Sequence, residues 1–300
     1  MGKAEMKIHI LPVDSKFQPS RQNFRMPTHG RDWNVERDFY SWLLNHPQLI
    51  AAKPEEADWD YLPFFWNLLY INWNWGEGHR GEIQAEILRL VSRNRPTFTI
   101  CEYDIRDMQP FYDLCNMVTF TASRRNDKHK ENIDVPLLCS QHALPPSMPT
   151  KQYLASFAGN LKTDGIRMEM QEVLAGRGDV KIVDGNNGPG FFVNLMLSSY
   201  IALAPRGHGG QSFRFYEAMD LGVVPYHIGT PDTRPFKPWI DWNECSLYAP
   251  TVSDMHLPQN ESQLKHMGWR AHKTYHEKLQ YGKWCGYVLK ELEEWQRNQG

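Results

Sequence analysis

The sequence predicts an α/β protein of two Rossmann-like domains facing a cleft, each built on a parallel sheet. Three observations carry that prediction. Three hundred residues exceed what one compact core normally holds. Short apolar runs alternate with amphipathic stretches through both halves of the chain, as in successive βαβ units. Between the halves, Pro145, Pro146 and Pro149 forbid regular structure and mark a linker.

In the first half, Lys7–Leu11 reads as a strand, and Val35, Phe39, Trp42 and Leu43 recur at helical spacing. Tyr61–Trp66 is a compact apolar run. Ile83, Ile87, Leu90 and Val91 mark a second helix, and Thr97–Cys101 a buried strand; Ile133–Cys139 is the last apolar run before the linker. The second half restarts with strand Tyr153–Phe157, the turn Ala158-Gly159-Asn160, and a helix on Ile166, Met170, Val173 and Leu174 that Gly176 closes. Val180–Val183 is a strand, Gly185–Gly190 a loop, and Phe191–Ser199 a helix. The final helix carries Val288, Leu289, Leu292 and Trp295. The expected domains are 1–145 and 150–280, with 281–300 placed to pack back on the first.

Composition narrows the function. Lys and Arg total 33 against 35 Asp and Glu, a net charge of -2, so the basic surplus of a nucleic-acid binder is absent. The one basic cluster, Arg124, Arg125, Lys128, His129 and Lys130, is broken by Asp127 and reads as a solvated loop. Five cysteines, odd in number and without a Cys-x-x-Cys pair, indicate free thiols and a reducing compartment. No stretch approaches the ~20 apolar residues of a membrane span, and no signal-peptide core is present; a soluble, cytoplasmic protein is expected. Asn260-Glu-Ser is a glycosylation triplet without a secretory context.

Residues 200–229 are the most informative stretch. Tyr200–Ala204 is a strand that Pro205 and three glycines interrupt, Ser212 stands where a helix N-cap belongs, Phe215, Ala218 and Met219 form that helix's core face, and Gly222 stops it. A glycine-rich loop opening a helix favours a phosphate, and Arg206 and Arg214 add cationic forks. Glu217, one turn from Arg214, would repel a phosphate but suits a vicinal diol such as a ribose. Together these point to a nucleoside diphosphate.

Four segments resemble the exostosin family of glycosyltransferases: Pro54-Glu-Glu-Ala-Asp-Trp-Asp-Tyr-Leu-Pro-Phe-Phe, Tyr153-Leu-Ala-Ser-Phe-Ala-Gly-Asn-Leu-Lys, Pro205-Arg-Gly-His-Gly-Gly-Gln-Ser-Phe-Arg-Phe-Tyr-Glu-Ala, and Pro225-Tyr-His-Ile with Pro235-Phe and Asp241-Trp. The third is the specific one. The resemblance implies a B-type transferase fold, an acceptor-binding N-terminal domain and a C-terminal domain that binds a nucleotide sugar, with inversion and no metal. It also implies that Arg206 and Arg214 hold the diphosphate, that Gly207, His208, Gly209, Gly210, Ser212 and Phe213 line the donor loop, and that Glu217 binds the ribose. Gly159, Asn160 and Lys162 contribute from the other strand end. No cofactor is implied beyond the co-substrate, with UDP as carrier and xylose as the expected sugar; the acceptor is an oligosaccharide or glycan. Members usually carry a membrane anchor and stem and work in the Golgi; neither is in this sequence, which suggests a viral, bacterial or truncated form.

Inversion needs a base for the acceptor hydroxyl. Asp104 is the first expectation and Glu102 the second, both just after strand Thr97–Cys101; Glu77 and His79 compete, because Trp73 and Trp75 beside them suit stacking on a sugar ring. Asp58-Trp59-Asp60 has the spacing of a cation-binding triplet, and His272 and His276 that of two zinc ligands, but both read more simply as structural, the histidines as an exposed helix face. Two rival readings stand beside the transferase. Gly207, Gly209 and Gly210 with Asp232 after the next strand allow a nicotinamide-dependent oxidoreductase, although the third glycine of that fingerprint is missing. An inactive sugar-binding module is the other.

Overall fold

The computed structural model describes residues 6–19, 35–72, 79–92, 94–102, 117–125, 132–139, 141–185 and 188–299. The chain divides into two compact units, one of residues 1–123, 128–135 and 284–300, the other of residues 124–127 and 136–283.

The first unit is a five-stranded parallel sheet in the order β1-β2-β3-β4-β5: Ile8–Ile10, Trp59–Tyr61, Thr97–Cys101, Met117–Thr121 and Asn132–Asp134. β3 and β4 are buried at every position, although Thr97 and Thr99 in one and Thr119 and Thr121 in the other alternate with apolar residues. Helices α1 (Val35–Leu44), α2 (Trp66–Asn72) and α3 (Arg80–Leu90) lie between the strands in sequence. The apolar run at 61–66 is therefore split between the end of β2 and the start of α2, and of the run 133–139 before the linker only Ile133 and Asp134 pair, in β5. The aromatic content goes largely into this core: Tyr61 stacks on Phe98 at 4.9 Å, and Phe39 meets both edge-on. Helix α8 (Cys285–Gln299) belongs to this unit. Trp284, just before it, donates its Nε1–H to Asp38 at 2.8 Å, and Trp295 meets Trp59 edge-on at 5.1 Å.

The second unit holds β6 (Tyr153–Gly159), β7 (Val180–Asp184), β8 (Ser199–Pro205), β9 (Val224–Ile228) and β10 (Leu247–Ala249), all parallel, in the order β10-β9-β8-β6-β7. Helices α4 (Gly165–Leu174), α5 (Pro189–Leu197), α6 (Phe213–Asp220) and α7 (Glu261–Thr274) complete it, α7 running into a π-turn at Tyr275–Leu279. Pro225 is tolerated inside β9 because β10 begins pairing only at Tyr226; at Pro225 the strand has β8 alone as a ladder partner. Gly222 ends α6 with φ of 69°, donating to Met219, the left-handed stop that the sequence predicts. Asn260 of the glycosylation triplet caps α7, its Oδ1 accepting from Gln263 N–H at 3.1 Å.

Reading from β6, the second sheet runs 2-1-3-4-5: the first strand lies between the second and the third, so the order in which strands are added reverses at the β6–β8 pair while all stay parallel. The first sheet, among the described residues, has no such reversal. In open parallel sheets the crevice beyond the carboxyl ends at such a switch point is where ligands sit.

Candidate nucleotide-sugar site

The carboxyl ends of β6 and β8 carry the two loops singled out in the sequence. β6 ends at Gly159, and Asn160 caps the following short turn by accepting from Lys162 N–H at 2.9 Å. β8 ends at Pro205, and Arg206 follows, its N–H on the Ile228 carbonyl at 2.9 Å. Parallel pairing of β6 with β8 thus brings Gly159, Asn160 and Arg206 to one end of the sheet.

Three guanidinium groups gather there. Arg206 is braced between loops, with Nη1 donating to the Thr230 carbonyl at 2.6 Å and Nε 3.4 Å from Asp164. Arg214, on the first turn of α6, donates to the Ala158 carbonyl and lies 5.5 Å and 5.3 Å from the rings of Phe157 and Phe192. Arg167, which sequence reasoning missed, is only 5% exposed and also sits 5.5 Å from the Phe157 ring. It donates to the carbonyls of Asn160 at 2.9 Å, Arg206 at 2.9 Å and Pro205 at 3.4 Å, tying the loop after β6 to the loop after β8. Burial and the neighbouring Arg214 charge pull its pKa down to about 10, while Asp164 opposes them. Arg214 is likewise lowered by burial, against the Glu217 charge. A sequence signal for Arg167 existed: it stands three residues before Met170 and seven before Leu174, on the stripe that α4 buries.

The glycines have specific reasons. A Cβ on Gly159 would stand 2.6 Å from an Arg214 nitrogen, and one on Gly210 would stand 1.9 Å from the Arg124 carbonyl oxygen. Arg124 therefore is not a free solvated residue; its main chain presses on the glycine-rich loop, and Nη2 donates to the Asp232 carbonyl at 3.2 Å. On Gly207 the nearest obstacle is Arg167, at 3.0 Å. Gln211 locks the loop, taking hydrogen bonds from Leu137 N–H and the Tyr216 hydroxyl and donating to the Thr233 carbonyl. Ser212 occupies the N-cap position with extended backbone, but its hydroxyl makes no cap bond. Phe213 opens α6, and Lys162 and His208 are exposed.

Glu217 is 5% exposed, and its Oε1 lies 3.0 Å from Nε2 of His142, a residue of the proline-rich segment that sequence reasoning passed over. Burial opposes charging of His142, yet the hydrogen bond and charge of Glu217 outweigh it and raise the pKa. One turn along α6, Asp220 is approached by His276 at 3.0 Å, and its carbonyl by His272 Nδ1 at 2.7 Å. The histidine pair expected on an exposed helix face is thus aimed at α6.

Several other sequence candidates are engaged structurally. Asp58 accepts from Lys7 N–H at 2.8 Å, and Asp60 is held by His9 and Arg95, both at 2.9 Å. Asp232 forms a two-pronged pair with Arg234, at 2.9 and 2.8 Å, which with Lys237 overcomes burial and lowers its pKa to about 2. Glu102 is 4% exposed, and its Oε2 accepts from Val35 N–H at 3.3 Å at the start of α1. His79 lies 3.2 Å from Glu82. Trp73, Trp75, Glu77 and Asp104 fall outside the described residues.

Residues 2–267 match the family model of the Exostosin GT47 domain. The chain belongs to the exostosin GT47 family. Exostosin-1 of Drosophila melanogaster is 27% identical over 122 residues, 33% of this chain and 16% of the relative. The Exostosin-1 homolog of Caenorhabditis elegans is 34% identical over 65 residues, 22% of this chain and 17% of the relative. The chain spans about a sixth of the length of these curated exostosin relatives. Among solved structures, TarM is similar over 79% of this chain and 53% of its own, at 9% identity and a TM-score of 0.41. MurG of Acinetobacter baumannii is similar over 93% and 83%, at 11% identity and 0.38. Membership of the exostosin family displaces the oxidoreductase reading, and Asp232, which that reading needs on a ribose, is taken by Arg234. Among the described residues no helix is long and apolar enough to cross a membrane.

Two predictions follow from this packing. Gly210→Ala should destabilise the fold by about 3 kcal/mol, because the obstructing Arg124 atom is backbone and cannot swing away; urea denaturation checks it. His227, 2% exposed in β9, is held neutral by burial, its pKa lowered to about 4. The folded value lies below the unfolded one, so its contribution is full above the ordinary imidazole value and falls as pH drops through 6.5 toward 4. Between pH 7 and 5 the wild type should lose about 2 kcal/mol more stability than His227→Phe, measured as unfolding free energy at each pH.

Proposed function

We propose that the chain transfers a sugar from a nucleoside diphosphate donor, with UDP as carrier, to a hydroxyl of a glycan acceptor, with inversion at the anomeric carbon. The observation that carries this reading is the concentration of Arg167, Arg206 and Arg214 at the β6–β8 switch point, with Asp164 as the carboxylate paired to Arg206. Gathering buried guanidinium groups, two of them depressed in pKa, costs free energy that a bound polyanion would return. A pyrophosphate leaving carbon gains charge as the C–O bond breaks, and fixed cations already in place stabilise that change without reorganising. Glu217, one turn beyond Arg214 on α6, takes the ribose hydroxyls.

On the opposite face of the sugar, the acceptor oxygen attacks carbon while its proton passes to a carboxylate. Asp104 is the base proposed, with Glu77 or His79 in its place if the acceptor enters from their loop, and Trp73 and Trp75 as stacking platforms. Glu102 serves instead to hold the start of α1 in the geometry described. Cationic charge comes from arginine, so no metal is required for the departure of the diphosphate.

Arg206→Ala should retain the fold and lose about 2–4 kcal/mol of transition-state stabilisation, read as kcat/KM with a panel of UDP-sugars. Near-normal turnover would refute the assignment. Chelation by EDTA should leave that turnover unchanged; abolition, with recovery on adding Mn²⁺, would restore a metal role to Asp58 and Asp60. Binding of UDP by calorimetry with neither transfer nor donor hydrolysis would favour the inactive sugar-binding module.

A further inference from the structure

We infer that His142 is a positioning residue of the nucleotide site: it holds one oxygen of Glu217 so that the other meets the ribose diol. This rests on the donor reading of Glu217 given above. Among the described residues, His142 is the hydrogen-bond partner of Oε1, at 3.0 Å, and both side chains are largely buried, at 13% and 7% exposure.

His142 is itself fixed from three sides. Its main-chain N–H reaches the Asp220 carboxylate, one turn beyond Glu217 on α6. Its ring packs against Phe192 of α5 at 5.5 Å, and that same Phe192 lies 5.3 Å from the Arg214 guanidinium. The imidazole therefore touches the acidic element and the aromatic wall of the cationic element together. A carboxylate with two free oxygens on a rotatable side chain would spread over several orientations. Pinning Oε1 removes that freedom before the ligand arrives, so less ordering is left for binding to supply. The residue comes from the proline-rich segment before β6.

The test is a comparison of ligands as well as of variants. Among the uridine, guanosine and adenosine diphosphates, the tightest binder to the wild-type chain is taken together with its 2′,3′-dideoxy analogue, and both are titrated by calorimetry. His142→Ala should weaken the ribonucleotide about tenfold, the loss of one hydrogen bond to a charged group, and change the dideoxy analogue less than twofold. His142→Gln, which can still donate to Oε1, should recover most of the loss. Should the alanine variant fail to fold, His142→Asn, too short to reach Oε1, takes its place. Equal weakening of both ligands, or of neither, overturns the role of His142 and leaves the donor reading standing. A wild-type chain that binds none of the three diphosphates overturns both.

Discussion

One buried cation organises the second unit. The strand order sets the loops after β6 and β8 side by side, and Arg167 ties them together by donating to main-chain carbonyls of each. A lysine could not do this, because the contacts need several donors in a fixed plane. The arrangement places a full positive charge under the loops while spending its hydrogen bonds on backbone. Arg214 repeats the device from α6, bonding the Ala158 carbonyl and lying against Phe157 and Phe192. Arg206 completes the set from the loop itself. The glycines then follow as consequences: Gly159 makes way for Arg214, Gly207 lies against Arg167, and Gly210 makes way for the main chain of Arg124.

This view alters what a glycine-rich loop means here. In the sequence it reads as bare amides waiting for a phosphate. In the fold, two glycines of this loop also lie against a neighbour, Gly207 against the Arg167 side chain and Gly210 against the main chain of Arg124. Gln211 ties the loop to Leu137, Tyr216 and Thr233 at once.

The acidic partners of α6 show the same economy. Glu217 and Asp220 are one turn apart, and each faces a histidine, from the proline-rich segment in one case and from the turn after α7 in the other. Packing α6 on the sheet buries both carboxylates, and buried carboxylates require partners. The spacing of His272 and His276 that suggests zinc in the sequence is satisfied by an aspartate instead. Likewise Asp58 is taken by the Lys7 N–H and Asp60 by His9 and Arg95.

The sequence by itself determined the α/β class, because short apolar runs that pair as strands alternate with helices that show a 3.6-residue stripe. It determined the strand-loop-helix unit at 200–222, where proline, glycine and a cap residue act locally. Family membership was legible there too, in Pro205–Ala218. Only the tertiary structure decided which residues meet. Arg167 and His142 lie far in sequence from Arg206 and Glu217, and nothing in local spacing links them; strand order and the burial of α6 do. Short elements such as β10, three residues long, were also hidden, since so few residues carry no period. What a chain writes locally is conformation, whereas the pairing of charges depends on which strands become neighbours.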